Sequence, residues 1–460
     1  MGIGDPSSSY HTLLQNVANE SQFGTYISAN TTTPDDFPCA GSITDAFQCV
    51  ACYTLAGNSP QMVSYSSGIL GNTPKAMDAF EVNAGVRMLL LSISFDQDIA
   101  PSSIEDLSSW IVIKKDQTDV TRHFSIVGAI DTSKHVLVKA VFRQAGEANA
   151  RTFLPQGRYN VTLTKPSGIS GDIEYSAISV VDDHSLKMTW EVSEPTDPRA
   201  DEAFLPSMRL IWLGMPLEDA TVTARVLRPG DDLGDVLAKM PDVDLQLKAS
   251  GAEMASAGQL KYLSLLKDSE LVQKILPASG QHALQYRGSG TYDTPYNPDQ
   301  VSGVYQIRYD VFADAAIYGK VQRVAVQSVY VQPGDIDIEA SIISKTLRDN
   351  TLTVKLRPKT TYGKLIGPGQ LRAFNISGRD IKLVDLKEVG QDGTYEIVLS
   401  GDLDKIISVN YLGKALFKGP ASDFGGQPGT TDWKWLFYLL VIALILVILW
   451  WLWRMSKSRA

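Results

Sequence analysis

Gly157-Arg-Tyr159-Asn-Val-Thr-Leu163 decides the fold, because the chain carries this pattern three times. Gly303-Val-Tyr305-Gln-Ile-Arg-Tyr309 and Gly393-Thr-Tyr395-Glu-Ile-Val-Leu399 share its form: Gly, any residue, Tyr, then alternation with period 2. Such alternation marks a half-buried strand. A Gly ahead of the strand permits the positive φ that a turn into a strand often needs. The Tyr can bury its ring and tie its hydroxyl to nearby backbone, as at the corners of Ig-like sandwiches. Three copies predict three β modules in series, the longer interval containing a helical insertion.

Short runs of strand-forming residues with turn residues between them surround each copy. Residues 77–195 read as the first sandwich, with Val86 to Phe95, Val136 to Phe142 and Tyr175 to Val181 among its strands. Residues 196–334 read as the second, with Met208 to Leu213, Ala220 to Leu227 and Arg323 to Val331. Its insertion, 252–276, carries an apolar helix face of Leu260, Leu263, Leu271, Val272 and Ile275, and Pro277 stops it. Such a helix covers a sheet edge or binds a partner. Residues 335–420 read as the third sandwich, with strands at Asp337 to Ile343, Leu352 to Leu356 and Ile406 to Tyr411. Residues 31–76, rich in Thr, Pro, Ser and Gly, read as a Cys-containing connector. The expected class is therefore mainly β: serial Ig-like antiparallel sandwiches, one helical insertion and one C-terminal transmembrane helix.

That helix is expected at 435–453, where Trp435 to Trp453 runs without a charge. Its length is close to the ~20 residues a membrane crossing needs. A Gly/Pro-rich linker, 421–434, precedes it, and Arg454, Lys457 and Arg459 lie in the 454–460 tail. The positive-inside rule puts the tail in the cytoplasm and the bulk of the chain outside, on a cell membrane. The formal net charge is −9, and three of the basic residues lie in that tail, so the part ahead of the anchor stands at −12 (−9 less 3), which argues against a nucleic-acid partner. The bilayer is one expected partner; an unknown protein or surface ligand is the other. The start, Met1-Gly-Ile-Gly-Asp5-Pro-Ser7-Ser-Ser9, has neither the basic nor the apolar region of an export signal.

No residues with the spacing of a known catalytic motif occur, and no enzyme activity is expected: H-E-x-x-H, the P-loop and G-x-S-x-G are all absent. Asp182-Asp183-His184 is the nearest approach to a constellation and reads as a solvated turn. Asp293, Asn297 and Asp299 could offer oxygens to Ca²⁺ from one loop, or could simply be a polar loop. Asp5-Pro-Ser7-Ser-Ser9 could offer oxygens to Mg²⁺ and reads better as a helix N-cap. No cofactor beyond these ions is suggested. Cys39, Cys49 and Cys52 allow one disulfide, with a structural role or plain burial favoured over metal or redox work. Asn19, Asn30, Asn160 and Asn375 stand in N-x-S/T sequons, which matter only in a host that glycosylates.

Two segments carry a family resemblance. Gly2 to Asp5, Leu13, Leu14, Val17, Ala18, Gly24, Tyr26 and Ala29 resemble the last strand and helix of a von Willebrand factor type A domain. Leu356-Arg-Pro358-Lys-Thr-Thr-Tyr-Gly363-Lys-Leu-Ile-Gly367-Pro368-Gly369, followed by Asp392-Gly393-Thr394-Tyr395, resembles the choice-of-anchor X domain of bacterial surface proteins. The order is similar to that of calcium-activated-chloride-channel-regulator-like proteins. The resemblance implies the C-terminal portion of a longer, non-catalytic surface protein, presenting β-sandwiches for adhesion or protein binding. A structural stalk or envelope subunit is the alternative. Ser302 stands before Gly303 where that family often has Asp, which leaves any Ca²⁺ there without its expected ligand.

Overall fold

The computed structural model of the chain describes residues 48–49, 60–99, 107–132, 134–142, 154–192, 194–243, 257–265, 268–275, 278–315 and 319–425. These residues are mainly β and form several sheets whose named strands all pair antiparallel. The chain divides into two compact units: Met1–Met240 with Leu260–Asp335, and Pro241–Gln259 with Ile336–Ala460.

In the first unit, the first module packs two sheets face to face. One holds Pro60–Leu70, Ile173–Asp183, Val86–Phe95, His135–Phe142 and Phe124–Thr132; the other centres on Gly157–Leu163. Val86–Phe95 is buried along almost its whole length, which explains its nearly unbroken apolar run. Leu89, Leu91, Ile93 and Phe95 meet Trp110, Ile113 and Val161 in the core. Leu90 faces the other way, into a separate cluster with Met62, Ile178 and Val180.

The second module wraps one sheet into two layers. Strand Ala278–Gly288 pairs with Ala220–Arg228 along one part of its length and with Thr291–Asp293 along another. Its long hairpin, Gly303–Ala315 with Gly319–Val331, holds register from Gly303 opposite Val331 to Ala315 opposite Gly319. Tyr305, Ile307, Tyr309, Val311 and Ala313 alternate into the core. The modules are not separate beads on a string. Met62 pairs with Val324, and one sheet runs through both modules.

The second unit stacks a four-stranded sheet (Ile342–Arg348, Thr351–Leu356, Tyr395–Gly401, Ile381–Glu388) on a three-stranded one (Phe374–Gly378, Ile406–Tyr411, Lys414–Pro420). Leu352, Val354, Leu356, Ile397, Leu399, Ile407 and Val409 fill the space between. Their period of 2 is what made these strands readable.

Several expectations need correction. Strand Pro60–Leu70 lies in the stretch read as connector; its Ser and Gly hide it, yet it pairs along nearly all of Ile173–Asp183. Asp337 to Ile343 is not a strand. Ile338–Ser341 is a one-turn helix, capped by Asp337, whose carboxylate accepts the Ala340 N–H at 2.9 Å, and the strand starts at Ile342. The insertion holds two helices, Ala257–Leu265 and Ser269–Ile275. Asp268 begins the second by accepting the N–H groups of Glu270 and Leu271. Among the described residues no helix is long and apolar enough to cross a membrane. The 435–453 run, residues 1–30, the Asp5 to Ser9 motif, Cys39 and Cys52 lie outside the described residues.

Candidate functional site

Each Gly-x-Tyr copy buries its Tyr at a turn into a strand, with its hydroxyl on backbone. Tyr159 and Tyr305 are buried, and their hydroxyls donate to carbonyls four residues upstream, Pro155 at 2.8 Å and Val301 at 2.7 Å. Tyr395 is also buried, but its hydroxyl donates to Gly367 O at 3.1 Å and accepts from Gln370 N–H at 2.9 Å. The third corner thus ties down the Gly367-Pro368-Gly369 segment. Burial pushes all three phenols well above the usual tyrosine range, so they act as fixed donors. Gly157, Gly303 and Gly393 hold φ values of 148°, 134° and 79°, as the sequence requires.

A carboxylate grips each corner, and it comes from a different place each time. Asp116, in a hairpin turn, accepts the Arg158 N–H at 3.0 Å. Asp392, one residue ahead of its Gly, accepts the Thr394 N–H at 3.1 Å and Arg357 at 2.9 Å. In the second module Ser302 occupies the expected Asp position. Its hydroxyl and N–H donate to Asp232 at 2.6 and 3.3 Å. The acid is supplied from a buried residue ahead of helix Leu233–Lys239, and burial pushes its carboxyl above the usual range despite those bonds.

The Asp182-Asp183-His184 reading is corrected. Asp183 is fully buried against Arg323, with the ion pair at 2.6 Å and both side chains without solvent exposure. Arg323 Nε donates to Gln61 Oε1 at 2.7 Å, Nη1 to Gln322 O at 2.8 Å, and Nη2 also to Asn83 Oδ1. Asp183 further accepts from Asn83 Nδ2 at 3.0 Å, and from the Ser185 N–H and hydroxyl at 2.8 and 2.5 Å. Gln61 Nε2 closes the network onto the Leu186 carbonyl at 2.5 Å. Burial lowers the pKa of the guanidinium and Asp183 opposes it. Each guanidinium nitrogen and both carboxylate oxygens have a partner, the condition under which a buried ion pair is tolerated. Asp182 instead lies 3.3 Å from His184.

The structure gives each of the three loop candidates a protein partner. Asp293 takes Arg287 at 2.8 Å, Asn297 accepts the Asp299 N–H at 3.0 Å, and Asp299 takes Arg228 at 3.0 Å. Among the described residues no group of three or more His, Cys, Asp or Glu could hold a metal ion. Cys49 is buried and disulfide-bonded. Of the sequons, Asn160 spends its amide on the Met77 carbonyl at 2.8 Å, whereas Asn375 is exposed. An open cleft of about 580 Å³ in the second unit is lined by Leu347, Asp349, Asn350, Asp402 and Asp404 among others.

One hairpin tip carries largely exposed apolar side chains. In the second module, strand Pro206–Trp212 turns through Leu213-Gly214 into Met215-Pro216, with Trp212 opposite Met215. Leu213 and Gly214 have φ of 46° and 85°, the type I′ geometry that favours Asn, Asp or Gly. The other two-residue turns include Asp116-Gln117, Ser289-Gly290, Asp349-Asn350 and Leu412-Gly413, the last with the same left-handed Leu (φ 52°) but with its side chain packed against the core of the second unit. Leu213 is 70% exposed and Met215 65%. A left-handed Leu costs about 1–2 kcal/mol; here the N–H of Leu213 donates to the Ser185 carbonyl at 2.7 Å while the side chain stays largely exposed. Sequence reasoning took Leu213 as the end of a strand; the Leu-Gly-Met-Pro string was the available signal.

By sequence, the chain matches no family model and no curated protein. Among solved structures it is similar to invasin, described as a bacterial integrin-binding protein, at 13% identity and a TM-score of 0.24, covering 75% of this chain and 56% of invasin, just over half its length. A DUF4785 family protein from Legionella pneumophila is similar at 10% identity and a TM-score of 0.35, covering 80% of this chain and 93% of that one. The adhesin InvE of Yersinia pseudotuberculosis is similar at 9% identity and a TM-score of 0.22, covering 50% and 58%. Likeness at this level carries no function across.

Proposed function

We propose that the chain is a non-catalytic, single-pass membrane-anchored surface protein whose β-sandwiches present a contact surface for adhesion or protein binding, with the Leu213–Pro216 tip as its contact point. The observation that carries this reading is Leu213: a bulky apolar side chain held exposed, in a strained conformation, at a hairpin tip. Backbone strain at a residue whose apolar side chain is largely exposed supports a functional reading of the tip. The charge-free run 435–453 and the basic residues after it support anchoring with the bulk of the chain outside. The Gly367-Pro368-Gly369 segment, fixed by Tyr395, supports a choice-of-anchor X-like second unit. The buried Arg323–Asp183 network favours a second reading as a rigid spacer in an envelope assembly, since it holds two modules as one body.

Leu213→Asn tests the first reading. Asn accepts the left-handed region, so the fold keeps or gains stability while the apolar contact is lost. Cells displaying the full chain, wild type or variant, are compared for attachment to sister cells and to immobilised matrix glycoprotein. Attachment that falls several-fold with an unchanged melting temperature supports the reading. Equal attachment by both proteins overturns the assignment of the tip and leaves the spacer reading in place.

A further inference from the structure

Two of the four N-x-S/T sequons lie on described strands, and the fold treats them in opposite ways. In Gly157–Leu163, Asn160 is half-buried and its Nδ2 is spent on the Met77 carbonyl at 2.8 Å. The Thr162 hydroxyl donates to Asn160 Oδ1 at 3.2 Å. A hydroxyl two residues on thus reaches the amide from within a strand, because i and i+2 share a face. In Phe374–Gly378 the same spacing faces solvent. Phe374 and Ile376 pack into the core of the second unit, so Asn375 and Ser377 point away from it, and both are exposed. Among the described residues no partner holds the Asn375 amide. The strand is an edge of its three-stranded sheet. Small or polar side chains stand beside it: Asn410 opposite Asn375, Ser408 opposite Ser377, and exposed Ala415 and Lys418 on the next strand. This face can carry a bulky polar group without losing a native contact.

We propose that Asn375 is a carbohydrate attachment site, taking an N-linked glycan from a lipid-linked glycosyl phosphate. This rests on the reading that the second unit lies outside the cytoplasm. Asn375 Nδ2 attacks the anomeric carbon of the donor. A C–N bond forms, and the bond from that carbon to the phosphate oxygen breaks. The lipid phosphate leaves with the bonding electrons, and the displaced amide proton goes to a base on the host's transferase. Ser377 supplies the hydroxyl that the sequon requires, on the same face as the amide. The fold excludes Asn160: a glycan there displaces the bond to Met77 and forces bulk into a half-buried strand. Asn19 and Asn30 lie outside the described residues. A glycan at Asn375 also shields an edge strand from pairing with another chain.

Mass spectrometry of the full chain recovered from its own host tests this. Trypsin cuts after Arg372 and Arg379 and frees residues 373–379 as one peptide. This peptide should be found chiefly as a glycopeptide, with fragment ions placing the added hexose or hexosamine mass on Asn375. The peptide holding Asn160 should be found bare. Ser377→Ala, which leaves Asn375 in place, should lose the modification and keep the melting temperature; if that variant does not fold, the wild-type digest decides. A 373–379 peptide found only bare overturns the proposal. So does a glycan that survives Ser377→Ala, or one carried equally by Asn160. Protease added to intact cells separates this from the reading it rests on. A bare Asn375 on a chain cleaved within 336–425 sinks the site alone, and a bare Asn375 on a protected chain sinks the topology as well.

Discussion

Replacing Arg323 by Met is the most severe conservative test of how the first unit is held together. Met keeps much of the volume and removes the charge. Asp183 would then stay fully buried, with Ser185 and Asn83 as its remaining donors, and the oxygens of Gln61 and Asn83 would each lose a donor. Breaking one side of a buried ion pair costs about 3–5 kcal/mol. For a unit of this size that lowers the melting temperature by roughly 10 °C. The expectation is checked by urea and thermal unfolding of wild type, Arg323→Met, Asp183→Asn and the double variant. The double variant removes the stranded charge and should recover at least ~1 kcal/mol relative to Arg323→Met alone. A loss below ~1 kcal/mol for Arg323→Met would place the pair with exposed ion pairs and refute the reasoning. So would additive losses in the double variant.

Tyr305→Phe should cost about 1–2 kcal/mol, because the Val301 carbonyl loses its buried donor; urea unfolding reads this directly. Gly393→Ala should cost about 2–3 kcal/mol, since a Cβ would sit 2.6 Å from the Gly367 carbonyl carbon and oxygen at a φ of 79°. Gly168→Ala, at a φ of 86° with nothing within 4 Å, should cost only about 1 kcal/mol. The corner acids predict opposite pH limbs in melting curves. Burial pushes Asp392 up, but hydrogen bonds from Thr394 and the Arg357 guanidinium outweigh it, and its carboxyl ends below the usual range. Its contribution is therefore present above ~3.9 and is lost as pH falls through the lower folded value. Asp232 is raised by burial, so its contribution is present below ~3.9 and is lost as pH rises through its folded value. Asp392→Asn should flatten the first limb and Asp232→Asn the second.

The corners were legible in the sequence because their signature is local: a Gly, a Tyr two residues on, and an alternating strand. The strands of the second unit were legible for the same reason. The acids that grip the first two corners were not, because Asp116 and Asp232 lie 42 and 70 residues from the amides they accept. Asp183 was not, because its partner Arg323 lies in another module and a carboxylate beside a His resembles a surface turn. Strand Pro60–Leu70 was hidden by polar residues that burial against Ile173–Asp183 and the second module overrides. The break between the insertion helices was written in Lys-Asp268-Ser-Glu, an N-cap signal masked by the apolar face on either side. The tip was invisible because strand pattern and turn geometry compete at Leu213, and only the backbone conformation shows which one prevails.

The three corner carboxylates illustrate how such a chain can drift. Each corner places a carboxyl group on a turn amide, Arg158, Thr394 or Ser302, and that group is written at a different place along the chain each time. Asp392 is written next to its Gly, Asp116 in the neighbouring hairpin and Asp232 ahead of a helix in another part of the module. A second acid within reach would leave the first free to change. Modules with a common ancestor could in this way keep one architecture while their letters diverge. Their kinship would then be found by asking which groups satisfy the turn, a question that alignment of positions does not pose.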